Sequence, residues 1–131
     1  MRVFVAYKIK GEDLAQLRQK LEELSRIIED AGHKTFIFLR DVEHWKTGMD
    51  IKEIVRRAMK ELAKCDVIVA EVSEKARGTY FEIGYAKALG KKVIIIYRKG
   101  SEVNFLKAAA DAAVEYENLA DLKIKLPKAL K

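Results

Sequence analysis

The sequence predicts a three-layer α/β fold, in which a five-stranded parallel sheet lies between two layers of helices. Short β-prone runs alternate with amphipathic helical segments along the whole chain. Two of these runs, Asp66–Val72 and Val93–Tyr97, are almost continuously apolar, which is typical of strands buried on both faces of a parallel sheet. Right-handed crossovers then favour the flavodoxin-like strand order 2-1-3-4-5. A length of 131 residues predicts one domain over residues 1–131.

In the first half of the chain, residue spacing predicts a strand, a long amphipathic helix, a second strand and a second amphipathic helix. Gly32 ends the first helix, because glycine readily adopts the left-handed conformation found at helix C-termini. A stretch without a clean period follows the second strand and is predicted as a loop. The predicted bounds are Val3–Tyr7, Leu14–Ile28, Thr35–Leu39, the loop Arg40–Gly48, and Asp50–Lys64.

The second half of the chain continues the alternation with three strands and three helices. Gly90 ends the helix that follows the first of the two apolar runs. The last strand is short and is predicted at the edge of the sheet. The predicted bounds are Asp66–Val72, Gly78–Leu89, Val93–Tyr97, Asn104–Ala113, Val114–Tyr116 and Leu119–Leu130.

Composition narrows the classes of partner and compartment. The net charge is +6, but basic and acidic residues alternate and no aromatic-interleaved basic motif is present, so nucleic acid is not an expected partner. Cys65 is the single cysteine, which predicts no intramolecular disulfide and a cytoplasmic location. No apolar run predicts a membrane span, and the histidines show no metal-ligand spacing. Abundant lysine and glutamate with only four Asn and Gln residues resemble heat-adapted proteins.

The predicted strand order places a ligand crevice at the carboxyl ends of the first and third strands. Free N–H groups at the start of the following helix favour an anion there, and Lys8, Lys10 and Arg77 are candidate phosphate contacts. The loop is neither a dinucleotide fingerprint nor a Walker A motif. The predicted substrate contacts at this crevice are Lys8, Ile9, Lys10, Gly11, Ser73, Arg77, Gly78 and Thr79.

Glu82 lies in the first turn of the predicted helix at this crevice, and its local pattern allows two interpretations. Thr79–Glu82 fits a capping box, in which the threonine caps the helix and the glutamate bonds back to the cap N–H. Alternatively, Glu82 faces the ligand and takes part in its chemistry. The local pattern by itself favours the cap.

Three segments, Asp66–Ser73, Gly78–Ala86 and Leu89–Ile94, together resemble the core signature of the nucleoside 2-deoxyribosyltransferase family, which includes 2′-deoxynucleoside 5′-phosphate N-hydrolases. The resemblance implies cleavage or transfer of the N-glycosidic bond of a nucleoside or nucleotide, with no cofactor. It also implies that Glu82 is the nucleophile that attacks the anomeric carbon, and that the chain forms a homodimer. A carboxylate suits this role because it stabilises an oxocarbenium-like centre and can bond to it.

The chain departs from the family pattern at three positions. Phe4 stands where relatives commonly have a catalytic tyrosine, Ala58 where they have an assisting aspartate, and Ala76 where they have a serine or acidic residue. Three groups near the predicted strand and helix ends, Tyr7, Asp41 and Asp50, are therefore candidate substitutes for the missing acid/base groups, and Asp41 is also a candidate substrate contact. The departures also favour an alternative, a catalytically degenerate nucleotide-binding or sensor module.

A weaker resemblance connects the chain to TIR domains, which share this strand order. It rests on Val3–Tyr7, Gly48–Ile51 and Tyr80–Glu82. It implies NAD glycohydrolase activity supported by the same glutamate. Both resemblances therefore predict an N-glycoside beside Glu82.

Overall fold

The computed structural model describes residues 1–131 and contains one parallel sheet with helices on both of its faces. The strands are β1 Arg2–Ala6, β2 Lys34–Phe36, β3 Val67–Glu71, β4 Lys92–Arg98 and β5 Ala112–Tyr116. The helices are α1 Leu14–Asp30, α2 Phe38–Asp41, α3 Ile51–Ala63, α4 Arg77–Ala88, α5 Asn104–Ala109 and α6 Leu119–Ala129. The strand order β2-β1-β3-β4-β5 confirms the predicted fold class and order. No helix is both long and apolar enough to span a bilayer.

Two hydrophobic cores lie on opposite faces of the sheet. Alternate residues of β1 belong to different cores. Val3 and Val5 pack with α1 and α6, whereas Phe4 and Ala6 pack with α3, α4 and α5. The alternation follows from the two-residue period of a strand. Because β1 and β3 are neighbours and their crossovers leave on opposite sides, the crevice at their carboxyl ends opens between the two helix layers.

The prediction of a strand over Thr35–Leu39 is wrong beyond Phe36, because the chain turns at Ile37 into the short helix α2. The Asp41 carboxylate accepts a hydrogen bond from the Ile37 N–H at 2.9 Å and so holds the first turn of α2. The guanidinium of Arg40 donates to the Thr35 carbonyl at 2.9 Å and to Ser25 Oγ of α1 at 2.9 Å. These side-chain contacts end the strand early.

The predicted helix Asn104–Ala113 is also too long, since α5 ends at Ala109 and Ala112–Ala113 belong to β5. Asp111 explains the early end. Its backbone N–H donates to the Val93 carbonyl at 2.8 Å, and its carboxylate accepts from the Val93 N–H at 2.8 Å. This double contact with β4 aligns the chain as a strand from Ala112 onward.

Candidate active site

Glu82 lies in the second turn of α4, close to the carboxyl end of the sheet. Its side chain is partly buried and makes no hydrogen bond or ion pair. Burial raises the pKa of Glu82 to about 7, because removal from water disfavours the charged form. A carboxylate that lacks protein partners and titrates near neutrality is typical of a catalytic group.

The capping-box interpretation of Glu82 is wrong. The first helical hydrogen bond of α4 runs from the Tyr80 N–H to the Ala76 carbonyl at 3.1 Å, so Ala76 is the N-cap residue. Thr79 is therefore the third residue inside the helix, where it is 2% exposed and its Oγ1 has no hydrogen-bond partner. Glu82 has no cap to close, and its side chain is free for another role.

Tyr7 follows β1 and brings its phenol to the same region. Its hydroxyl oxygen accepts a hydrogen bond from the Leu39 N–H at 2.9 Å. Burial raises the pKa of Tyr7 above its usual value, and the nearby charges of Glu82, Glu43 and Asp41 raise it further. Tyr7 and Glu82, two of the predicted catalytic residues, are therefore neighbours, and the phenol keeps its proton at neutral pH.

Asp41 also lies near Tyr7, but its carboxylate is fully engaged within α2. Burial opposes its ionisation, yet hydrogen bonds from Arg40 and from the Ile37 N–H outweigh burial and hold the pKa of Asp41 below its usual value. Its predicted role as a substrate contact stays a prediction. The observed contacts give it a structural task at the turn that precedes the site.

Glu43 is a neighbour of Tyr7 that the sequence analysis does not identify. It follows α2, and its charge contributes to the raised pKa of Tyr7. Burial also raises the pKa of Glu43 itself. The sequence carries no signal for this placement, because a glutamate in an aperiodic segment is usually solvated.

Two family positions, at residues 4 and 58, carry no polar group, and they lie on the same face of the sheet as α4. Phe4 is 1% exposed and Ala58 is 5% exposed, and both belong to the core under α3 and α4. Asp50, another predicted catalytic residue, caps α3 by accepting from the Glu53 N–H at 3.4 Å. Its side chain is at an exposed position, and its catalytic assignment stays a prediction.

The N-terminus of α4 has no side-chain cap, because the N-cap residue is an alanine. The first N–H groups of the helix, at Arg77, Gly78 and Thr79, therefore receive no hydrogen bond from a capping side chain. Arg77 and Gly78 are exposed. Unpaired N–H groups and the positive end of the helix dipole are suited to an anion.

The predicted substrate contacts that follow β1 and β3 differ in their local environments. Lys8 Nζ forms an ion pair with Glu74 at 3.2 Å, which connects the loops that follow β1 and β3. Ile9 and Lys10 are exposed, and Gly11 has a φ of +81° in the turn before α1. Ser73 Oγ accepts from the Arg98 N–H at 2.8 Å. No group of three or more His, Cys, Asp or Glu side chains is arranged to hold a metal ion.

Comparison with known proteins shows which family the chain belongs to. The family model described as nucleoside 2-deoxyribosyltransferase matches residues 9–121. A Thermofilum pendens protein named for 2′-deoxynucleoside 5′-phosphate N-hydrolase activity is 30% identical over 101 residues, which cover 73% of this chain and 67% of the relative.

Two solved structures share the fold over most of their length. The Clostridium botulinum CMP N-glycosidase BcmB has a TM-score of 0.73 at 21% identity, with 98% of this chain and 99% of that chain covered. The 2-deoxyribosyltransferase of Bacillus psychrosaccharolyticus has a TM-score of 0.72 at 16% identity, with 94% and 90% covered. Because the family model spans most of the sequence and includes α4 with Glu82, the chain belongs to the nucleoside 2-deoxyribosyltransferase family.

Proposed function

We propose that the chain cleaves or transfers the N-glycosidic bond of a (deoxy)nucleoside 5′-phosphate, with Glu82 as the nucleophile. The observation that carries the proposal is the state of Glu82: it is partly buried beside Tyr7, has no hydrogen bond or ion pair, and has a pKa of about 7. Family membership supports the reaction class. The names of the Thermofilum pendens and Clostridium botulinum proteins support a 5′-phosphorylated substrate.

In the first step, one Glu82 carboxylate oxygen bonds to the anomeric carbon while the carbon–nitrogen bond breaks. The electron pair of that bond leaves with the base, which takes up a proton from solvent. Water then adds to the anomeric carbon and loses a proton to solvent, while the electron pair of the bond to Glu82 returns to the carboxylate. The free sugar phosphate leaves. If a second base replaces water, the same intermediate gives transfer instead of hydrolysis.

Tyr7 is proposed to orient Glu82 for this attack. Its oxygen is occupied as an acceptor by the Leu39 N–H, so its own O–H remains available to donate to a neighbouring carboxylate. The raised pKa keeps that proton in place at neutral pH. This role would compensate for the phenylalanine at position 4, where relatives commonly carry their tyrosine.

The uncapped N-terminus of α4 is proposed to bind the 5′-phosphate. Its free N–H groups would donate hydrogen bonds to the phosphate oxygens, with Arg77 adding a cationic side chain at the first helical position. We expect nucleoside monophosphates to raise the melting temperature more than the matching nucleosides, because only the binding state is stabilised. Equal shifts for both would contradict a phosphate site at this helix.

Base release tests the proposed reaction. The protein is incubated with deoxynucleoside monophosphates, with CMP, with the unphosphorylated nucleosides and with NAD, and free base is separated chromatographically. We expect release from at least one nucleoside monophosphate. Binding without any release would contradict the catalytic proposal, and conversion of NAD alone would favour the TIR-like NAD glycohydrolase instead.

A nucleotide-binding or sensor module is the second candidate, and one observation favours it. Phe4 and Ala58 are packed in the apolar core, so no polar group occupies either family position. Tight binding of a nucleoside monophosphate without base release, in a preparation with a melting temperature above the assay temperature, would favour this function over catalysis.

We also propose that the chain forms a homodimer, as the family resemblance implies, and that the outer face of α3, α4 and α5 is its interface. This face presents exposed apolar side chains, among them Ile51 at 74%, Phe81 at 58% and Phe105 at 87% exposure. We expect a dimer in sedimentation velocity and a monomer after Phe105→Glu. Ile124→Glu, an exposed position on α6 across the sheet, is the matched control and should remain dimeric.

A further inference from the structure

A cavity of about 310 Å³ lies between α1 and α6, above the carboxyl ends of β3, β4 and β5. Its volume falls in the range of roughly 300 to 1,000 Å³ typical of small-molecule sites. Glu82 is not part of its wall, whereas Tyr7 is. The apolar part of the wall is formed by Leu17, Leu21, Leu24, Ile96, Leu119 and Leu122.

Glu71 supplies the polar end of this cavity. Its carboxylate accepts one hydrogen bond from the Ser73 N–H at 2.6 Å and another from the Tyr116 hydroxyl. It forms no ion pair with a lysine or arginine and is only partly exposed. Two carboxylate oxygens accept about four hydrogen bonds in total, so Glu71 retains acceptor capacity on both oxygens.

The charges around the cavity disfavour an anionic ligand. Three basic side chains line it against five carboxylates. Two of the basic groups, Lys8 and Arg98, already pair with the same carboxylate, Glu74, at 3.2 and 3.7 Å. A ligand that fits must therefore be neutral or cationic and must donate hydrogen bonds, which excludes the phosphate end of a nucleotide.

We propose that this cavity is a second small-molecule site, which binds a planar heterocycle carrying a ring N–H beside an exocyclic amino group. Such a donor pair, as on the edge of guanine, matches the two oxygens of one carboxylate. The ring would lie among the leucine side chains, with Tyr7 and Tyr116 in the same wall. The inference stands on the cavity and Glu71 and does not require that Glu82 be catalytic.

The test uses 9-methylguanine, which has the donor pair but no glycosidic bond, and 9-methylhypoxanthine, which lacks only the amino group. Binding is followed by amide chemical shifts of the full-length protein. We expect 9-methylguanine to bind with a dissociation constant of about 1 mM or tighter and to shift amides of α1, Glu71–Ser73 and α6. We expect at least about tenfold weaker binding of 9-methylhypoxanthine.

Four variants separate this site from the one at Glu82. Glu71→Gln should weaken 9-methylguanine at least about tenfold, whereas Glu82→Gln should leave its affinity unchanged. Leu119→Trp, which places bulk at the cavity rim, should also weaken it, and Ile124→Trp on the exposed face of α6 should not. The proposal is overturned if no cavity amides shift, if both ligands bind equally, or if Glu82→Gln abolishes binding while Glu71→Gln retains it.

Discussion

Asp41 on α2 and Glu82 on α4 are two carboxylates whose charges both raise the pKa of the Tyr7 phenol. Both are affected by burial. Asp41 accepts hydrogen bonds from Arg40 and the Ile37 N–H, which outweigh burial and lower its pKa. Glu82 has no such donors, so burial alone raises its pKa to about 7.

At this edge of the sheet, hydrogen-bond donors, more than the extent of burial, therefore distinguish a structural carboxylate from a reactive one. The α2 region is a closed network: Ser25 of α1 and Thr35 of β2 both contact Arg40, which in turn holds Asp41. The α4 region is open, because neither its N-terminus nor Glu82 has a side-chain partner. Only the second region can offer its polar groups to a ligand without breaking a native contact.

The largest expected effect is the loss of base release in Glu82→Gln. A neutral amide cannot form the glycosyl ester, so we expect release to fall by at least ~10³-fold. Glu115→Gln, an exposed carboxylate on β5, is the matched control and should keep full activity. Initial rates of base release measure both, and near-normal turnover of Glu82→Gln would remove Glu82 from the mechanism.

The same substitution should stabilise the protein at alkaline pH. Since the folded pKa of Glu82 is about 7 and its usual value is 4.5, the native state binds a proton that the unfolded state releases, and stability falls as pH rises between these values. From pH 5 to pH 8 the loss is on the order of 2 kcal/mol. Glu82→Gln lacks this dependence, so its stability advantage in denaturant titrations should grow over that interval.

A pH-independent difference between wild type and Glu82→Gln would show that Glu82 titrates normally. It would also weaken the contrast with Asp41, because both carboxylates would then be ionised over the whole neutral range.

Tyr7→Phe tests the group that stands between the two carboxylates. Loss of the hydrogen bond that the Tyr7 hydroxyl is proposed to donate to ionised Glu82 should lower base release by about tenfold to a hundredfold. The acid limb of the pH–rate profile should also move to higher pH, because the phenol no longer favours ionised Glu82. A lower rate with an unchanged profile would limit Tyr7 to a structural role at Leu39.

The sheet could be predicted from the sequence because β3 and β4 are almost continuously apolar runs, and the order follows from the alternation of strands with helices. The turn at Ile37 could not, since Phe38 and Leu39 are as β-prone as the strand before them. Arg40 ends the strand through its hydrogen bonds to Ser25 and Thr35, and these contacts exist only after α1 has packed beside β2.

The site was predictable in part for a similar reason. Glu82 could be found from its motif and Tyr7 from its place after β1, because a parallel sheet brings the ends of its strands together. The threonine of the apparent capping box faces the core, which no local pattern indicates. Glu43 acquires its significance only from burial near Tyr7, a contact between segments far apart in the chain.

Asp41→Asn should destabilise the protein by about 1 kcal/mol at neutral pH, because the asparagine loses the charge that pairs with Arg40. The pKa of Asp41 is lowered from its usual 3.8, so its contribution is present above that value and is lost as pH falls below it. Denaturant titrations at pH 7 and pH 3 measure the difference. An equal loss of stability at both pH values would mean that the shape of the Asp41 side chain, and not its charge, stabilises α2.

The smallest expected effect concerns Thr79, the buried residue of the open α4 region. Its Oγ1 has no partner in the free protein, so Thr79→Val, which keeps the shape, should leave stability unchanged or raise it by about 0.5 kcal/mol. The matched control is Thr35→Val in the closed α2 region, where Oγ1 donates to Glu29 at 2.7 Å and accepts from Arg40 at 3.2 Å, and where we expect a loss of about 1 kcal/mol. If the Thr79 hydroxyl donates to a bound phosphate, Thr79→Val should weaken nucleoside monophosphates but not nucleosides in thermal-shift titrations. If Thr79→Val instead lowers the stability of the free protein, the Thr79 hydroxyl makes a structural contact. The α4 region would then be stabilised by side-chain contacts in the same way as the α2 region.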